Sequence, residues 1–157
     1  MRPFATPAAP DCFAALPLAD FADAFALDVA QAIDAPQATA QTFARLPGWI
    51  SGLVWFRNLL VAPFGLSAGA GEALPAARRH GMFPILSSTP GRVVMGFDDR
   101  HLDFRIVVDV NPVAAGHRVT VTTLVQRHAL SGRLYLAVVM PFHKRIVPAL
   151  LARVAGG

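Results

Sequence analysis

Charge is what this sequence has least of. Charged side chains make up 15% of its 157 residues, against roughly 25% in a typical soluble domain, while 54% are hydrophobic. The surplus apolar material needs a large core, a lined cavity, a partner surface or a membrane. The longest uncharged run, 58–71, has 14 residues and is broken by Pro63 and Gly65, whereas a spanning helix needs about 20 apolar residues. We therefore expect no transmembrane segment.

Lysine and cysteine are also scarce. Of the 14 basic residues 13 are arginines, and they are scattered through the chain. Nucleic-acid binders instead show a basic stripe, so we expect no nucleic-acid partner. Cys12 is alone and cannot form an intrachain disulfide, which is typical of a reducing compartment. The apolar N-terminal stretch is interrupted by Pro7, Pro10 and Asp11, unlike a signal peptide. These features predict a cytoplasmic protein.

The first half of the chain predicts one strand and two short helices. Residues 1–22 are rich in proline and alanine without a period, and we expect an irregular leader before a single domain at 23–157. Alternation across 25–30 indicates a half-buried strand. The run 34–37, Asp-Ala-Pro-Gln, combines an N-cap residue, a first-turn proline and a capping-box glutamine. It predicts a helix that ends near Leu46.

A second helix is predicted by the apolar stripe of Trp49, Leu53 and Phe56, with Arg57 at its edge. Proline and glycine end this helix. The following stretch, 66–81, is rich in glycine, alanine and serine and has no period. It predicts a long loop.

The second half of the chain predicts a meander and a helix. Four short strands joined by turns indicate consecutive antiparallel pairing, at 83–86, 92–97, 101–110 and 119–127. Ser131 is the expected N-cap of a C-terminal helix that Pro141 and Pro148 would bend or shorten. The apolar stripe predicted for this helix consists of Tyr135, Val139, Phe142, Ile146, Leu150 and Val154.

This order of elements predicts an α+β fold. A curved antiparallel sheet would wrap around the long C-terminal helix, with the two short helices inserted after the first strand. A sheet and a helix packed in this way leave a tapered space between them. Such a space suits an apolar ligand.

Three blocks of sequence resemble a bacterial family known as domain of unknown function 2867. They are the block Gly96 to Arg105, the block Trp49 to Leu66 and the block Gly132 to Pro148, and the resemblance covers residues 24–154. It implies a START-like helix-grip fold of the SRPBCC superfamily, whose members hold hydrophobic ligands between the sheet and the C-terminal helix. It implies no particular reaction, because members of this superfamily do different things.

The charged block from Gly96 to Arg105 holds the candidate polar residues. His101 and Asp103 have the spacing of an acid–base or metal-binding pair, but two ligands do not complete a metal site, and we predict no metal and no cofactor. Alternation places Asp103 and Arg105 on one strand face and the apolar Phe104 and Ile106 on the other. Whether the charged pair contacts a ligand or only forms an ion pair stays open at this point.

The function these patterns favour is the binding of a small hydrophobic or amphipathic molecule, without catalysis. One alternative is an enzyme of polyketide-cyclase or hydratase type with His101 or Asp103 as general base. Another is a non-catalytic interaction or dimerisation module that uses its apolar surface to contact a second copy, as a homodimer, or another partner. The predicted ligand-contacting residues are the walls Trp49, Leu53, Phe56, Phe104, Ile106, Tyr135, Val139 and Phe142, and the polar candidates Arg57, Asp103, Arg105 and His143.

Overall fold

The computed structural model describes residues 1–43, 79–80, 83–98 and 102–156. Within these ranges the chain has an α+β architecture, as predicted, with a curved open antiparallel sheet and a C-terminal helix. The described strands are β1 (Phe4–Thr6), β2 (Phe21–Val29), β3 (Arg79–His80), β4 (Phe83–Ser88), β5 (Arg92–Asp98), β6 (Leu102–Val113) and β7 (Gly116–Arg127). The described helices are α1 (Ala35–Phe43) and α2 (Leu130–Leu151), with short 3-10 helices at Pro10–Ala15 and Ala152–Ala155.

The sheet is built around its two longest strands. β6 and β7 pair without a break from Leu102 opposite Arg127 to Val113 opposite Gly116. The turn between them is therefore shorter than the expected 111–116. Among the described strands the order across the sheet is β1-β2-β7-β6-β5-β4-β3, so β2 lies beside the last strand. The predicted meander is confirmed, and the first long strand extends it on the far side of β7.

The sheet has an inner face, which packs against α1 and α2, and an outer face. Alternation along β6 is as predicted: Ile106 and Val108 belong to the large inner core, whereas Val107 packs on the outer face with Cys12 and Leu16. The outer face is therefore covered by the N-terminal segment. The expectation of an irregular leader at 1–22 is corrected here, because this segment contains β1, a 3-10 helix and the beginning of β2.

The capping box at the start of α1 is confirmed. The Gln37 backbone N–H donates to Asp34 Oδ1 over 2.8 Å, and the Gln37 side chain lies 3.3 Å from the Asp34 backbone N–H, which donates to it. These two bonds satisfy backbone donors that the first turn of a helix leaves without partners.

Asp34→Ala is expected to lower the free energy of unfolding by about 1 kcal/mol, because the cap acceptor is lost. Urea denaturation measures this change through the transition midpoint. Asp34→Asn is the matched control, since it keeps an acceptor oxygen and should cost only a few tenths of that. Equal losses in the two variants would contradict the assigned cap.

The C-terminal helix differs from its prediction in two ways. It begins at Leu130 with Ala129 at the N-cap and no side-chain cap bond, so Ser131 lies inside the first turn. It also continues through Pro141 and Pro148 to Leu151. The prolines do not end the helix, because the packing of its buried face on the sheet supplies most of the stability of such an element.

The buried face of α2 is only partly the predicted stripe. Leu150 is buried as expected, and so is Val154 in the 3-10 helix that follows, but Leu136 is buried outside the predicted stripe and Phe142 is exposed. The run 134–142 is apolar on almost every side, so several stripes fit the helical period equally well. Packing against the sheet determines which of these stripes is buried.

Several predictions fall outside the described residues. They are the second helix, most of the 66–81 loop, and the residues Trp49, Leu53, Phe56, Arg57 and His101.

Candidate functional site

The inner face of the sheet holds a histidine–carboxylate pair. Asp23 lies in β2 in phase with Phe25 and Leu27, so its side chain points towards α2. His143 on α2 meets it, with 3.1 Å between His143 Nε2 and Asp23 Oδ1. Because an ionised carboxylate only accepts, Nε2 carries the proton and donates. The side chains of His143 and Asp23 are 16% and 18% exposed, so the pair is mostly removed from water.

The second carboxylate oxygen of Asp23 differs from the first in its hydrogen bonding. Asp23 Oδ2 is buried and has no hydrogen-bond partner in the part of the chain that the structure describes. A buried acceptor without a partner costs about 1–3 kcal/mol, and more when the group is charged. Such an atom is rare in folded proteins and calls for an explanation. It is a hydrogen-bond acceptor with unused capacity on the inner face of the sheet.

The surroundings of this pair are apolar and aromatic. Across the inner face one row of paired residues runs Phe21, Val125, Phe104, Phe97, and the next row begins with Asp23 opposite Thr123. Rows on one face are about 6–7 Å apart along the strands. The Phe104 ring stacks beside Phe97, with 5.7 Å between their centroids. Asp23 is therefore the polar end of a largely hydrophobic wall.

The predicted ligand residues divide between the two faces. Phe104, Tyr135 and His143 do come to the inner face, where Phe104 and Tyr135 pack in one cluster with Leu136. Ile106 is buried in the core, and Val139 is half-buried on α2. Phe142 does not pack on the described sheet, because it lies on the outward side of α2.

Asp103 and Arg105 lie on the outer face, as the alternation predicted. Asp103 Oδ2 is 2.9 Å from His128 Nε2. Arg105 forms an ion pair of 2.7 Å with Asp98 and donates to the backbone oxygens of Phe97 and Phe104. Neither side chain shares a face with His143. Asp103 is therefore not placed to act as a base in the space beside α2.

An open groove of about 410 Å³ lies on the outer face, between the N-terminal segment and strands β4, β5 and β6. Arg92 lines it and is neutralised there, with 2.5 Å from Nε to Asp109 Oδ1 and 2.7 Å from the guanidinium to Asp11. The hydrogen bond to Asp109 raises the pKa of Arg92. Because its charges are paired within the protein, we interpret this cluster as a clamp that fastens the N-terminal segment to the sheet.

Cys12 is part of the same clamp. Its Sγ lies 3.4 Å from Asp109 Oδ2 and 3.8 Å from Thr122 Oγ1. Burial raises the pKa of the Cys12 thiol, so the thiol stays protonated at neutral pH and is a poor nucleophile. Across the described ranges no group of three histidine, cysteine or acidic residues is arranged to hold a metal ion.

Asp23 is the site residue that the sequence interpretation missed. The strand predicted from the sequence begins at Phe25, whereas β2 begins at Phe21. Extending the period by one step backwards places a carboxylate at an inward position. An acidic residue in phase with buried apolar residues was the available signal.

The comparison with protein families identifies the chain at the level of a family. Residues 15–150 match the sequence model of a family described as protein of unknown function (DUF2867). The chain belongs to this family. The match begins inside the N-terminal segment, where this DUF2867 protein packs Leu16 on the outer face. A search of curated proteins and a search of solved structures each found no match.

Proposed function

We propose that this DUF2867 protein binds a small amphipathic molecule between the inner face of its sheet and α2, as helix-grip proteins of the SRPBCC superfamily do. The order of strand, helix, meander and long C-terminal helix supports this proposal. The observation that carries it is the buried Asp23 Oδ2, which lies beside an aromatic wall and has no hydrogen-bond partner among the described residues.

The chemistry of the wall suggests the class of ligand. Its apolar body would pack on Phe97, Phe104 and Tyr135. Its head group would carry a hydrogen-bond donor, a hydroxyl or an amine, directed at Asp23 Oδ2. His143 holds the carboxylate in place through Oδ1. A hydrogen bond to a charged group contributes about 1.5–3 kcal/mol, enough to select such a ligand over a purely apolar one.

The test uses two histidine–carboxylate pairs that the structure offers as a matched set. Asp23→Leu removes the inner carboxylate, and Asp103→Leu removes the outer one that faces His128. Native mass spectrometry and organic extraction of the purified proteins detect any retained small molecule. We expect the wild type and Asp103→Leu to retain it and Asp23→Leu to lose most of it, because only Asp23 faces α2.

Two results would contradict the proposal that the protein binds a ligand at Asp23. It is wrong if all three folded proteins retain the same molecule to the same extent. It is also wrong if none retains any molecule and no alcohol or amine with an apolar body raises the melting temperature of the wild type.

An acid–base enzyme is the second candidate, and the same pair favours it. A carboxylate that holds one ring nitrogen of a histidine is a common way to orient an imidazole base. The base of a cyclase or hydratase would then be His143 rather than Asp103, which lies on the outer face. His143→Gln distinguishes the two candidates: an enzyme loses turnover of an extracted ligand, whereas a carrier shows no turnover in either form.

A further inference from the structure

The outward side of α2 carries an exposed apolar stripe. Leu130, Leu134, Val138 and Phe142 recur every four residues and are 81%, 69%, 47% and 45% exposed. At a rise of about 1.5 Å per residue the stripe extends about 18 Å along the helix. Contiguous exposed apolar surface of this kind marks a site of interaction.

The charges beside the stripe are all positive. Arg133, Lys144 and Arg145 are exposed on α2, and none of them forms an ion pair with a residue that the structure describes. At 100° per residue Arg133 lies beside Leu130, and Arg145 lies beside Phe142 at the C-terminal end of the stripe. Lys144 precedes Arg145 on a neighbouring side of the helix. The sequence after Asp109 contains no acidic residue. The surface is therefore complementary to a negatively charged partner.

The opposite side of α2 packs against the protein core. By length and composition Gly132–Ala155 could cross a bilayer. However, Val147, Leu150 and Leu151 are buried against the inner face of the sheet. A helix packed on one side and apolar on the other can lie in a membrane surface without spanning it.

We propose that α2 docks this protein on an anionic lipid surface. The stripe would enter the boundary between head groups and acyl chains, and the flanking cations would contact lipid phosphates. Leucine and phenylalanine on one side with lysine and arginine beside them is the pattern of interfacial helices. The stripe side chains offer no hydrogen-bonding groups, whereas protein interfaces average about one hydrogen bond per 100–200 Å².

A second copy of the chain fits the exposed side of α2 less well than an anionic lipid surface does. An isologous pair of α2 helices would bring the same surface together from both subunits. Arg133, Lys144 and Arg145 would then face like charges with no acidic residue on the helix to offset them. The proposal is independent of what the space between sheet and helix binds.

Flotation of the full chain with vesicles tests the proposal. Vesicles of phosphatidylcholine alone are compared with vesicles that also contain phosphatidylglycerol. We expect binding to the anionic vesicles, weakened by salt because exposed charges more than about 10 Å apart are screened at 0.1 M. Lys144→Gln/Arg145→Gln should weaken binding about 30-fold, since each basic side chain near the surface contributes about fivefold.

Matched variants separate the stripe from general surface properties. Leu134→Glu should abolish flotation, whereas Leu18→Glu, at another exposed leucine, should leave it unchanged. Arg2→Gln is the control for the loss of charge. The proposal is overturned if the wild type does not float with anionic vesicles or if Leu134→Glu floats like the wild type. It is also overturned if, without lipid, sedimentation shows a dimer that Leu134→Glu converts to a monomer.

Discussion

Gly96→Ala is expected to lower the free energy of unfolding by about 3 kcal/mol or more, placing it among the most damaging single substitutions. Gly96 lies in β5 opposite Arg105 of β6 and has φ +152°, a conformation that side chains rarely adopt. A Cβ at this position would stand 2.0 Å from the Phe104 backbone oxygen and 3.0 Å from Arg105 Cα. Because these atoms belong to the backbone of β6, the strands β5 and β6 would have to separate at this point.

Gly91→Ala is the matched control for this substitution. Gly91 lies in the turn before β5, and a Cβ there meets nothing within 4 Å. We expect a change within about 0.5 kcal/mol, as for ordinary surface substitutions. Urea denaturation of both variants gives the comparison. Two equally stable variants would contradict the close approach of β5 and β6 at Gly96.

Asp109→Asn is expected to cost about 2–3 kcal/mol, the largest effect among the charged residues of the outer face. Asp109 is buried, accepts two bonds from Arg92 and contacts Cys12. An amide cannot replace both bonds, and Arg92 stays charged because its pKa is already raised. This expected loss of stability is smaller than the roughly 3–5 kcal/mol lost when a fully buried ion pair is broken. The reason is that Arg92 keeps its ion pair with Asp11 and partial access to water.

Asp28→Asn is the control for this prediction. Asp28 forms a two-bond ion pair with Arg118 that is more exposed than the Arg92–Asp109 pair. Exposed pairs contribute at most about 1 kcal/mol. The hydrogen bond from Arg118 lowers the pKa of Asp28. Its stabilisation is therefore fully present above the ordinary pKa of about 3.9 and is lost as the pH falls through the lower folded value.

Denaturation at neutral pH measures both carboxylate variants. We expect Asp109→Asn to destabilise the protein clearly more than Asp28→Asn. A smaller loss for Asp109→Asn would mean that the clamp between the N-terminal segment and the sheet contributes little to stability.

Local patterns predicted much of this fold. Period-two alternation identified β2, β5 and β6 and assigned Asp103 and Arg105 to the face opposite Phe104, and a run rich in valine and threonine identified β7. The capping box located the start of α1, because Asp34 and Gln37 interact within one turn. In each case the residues that decide the structure are neighbours in sequence.

Long-range packing set the features that were missed. Cys12 is buried through contacts with Asp109 and Thr122, about a hundred positions away, and no local pattern in the proline-rich leader indicates this. The face of α2 that is buried was likewise chosen by the sheet, because the helix is apolar on several sides.

Only part of the candidate site was predicted from the sequence. His143, Tyr135 and Phe104 were selected from the sequence and lie on the inner face. Asp23 was not, since a single aspartate in an alternating strand is prominent only once the strand's inner face is known. Its partner on α2 is 120 residues away in the chain.

Competition between a long-chain alcohol and its methyl ether tests the central claim most directly. Each would compete with the fluorescent apolar probe N-phenyl-1-naphthylamine for the protein. The ether has a methyl group in place of the hydroxyl hydrogen, so only the alcohol can donate to Asp23 Oδ2. The account predicts that the alcohol binds roughly 10- to 100-fold more tightly, the range expected for a hydrogen bond to a charged group. In Asp23→Leu this preference should disappear, and in Asp103→Leu it should persist. Equal affinities in the wild type, or a preference unchanged by Asp23→Leu, would contradict the claim that Asp23 anchors a ligand beneath α2.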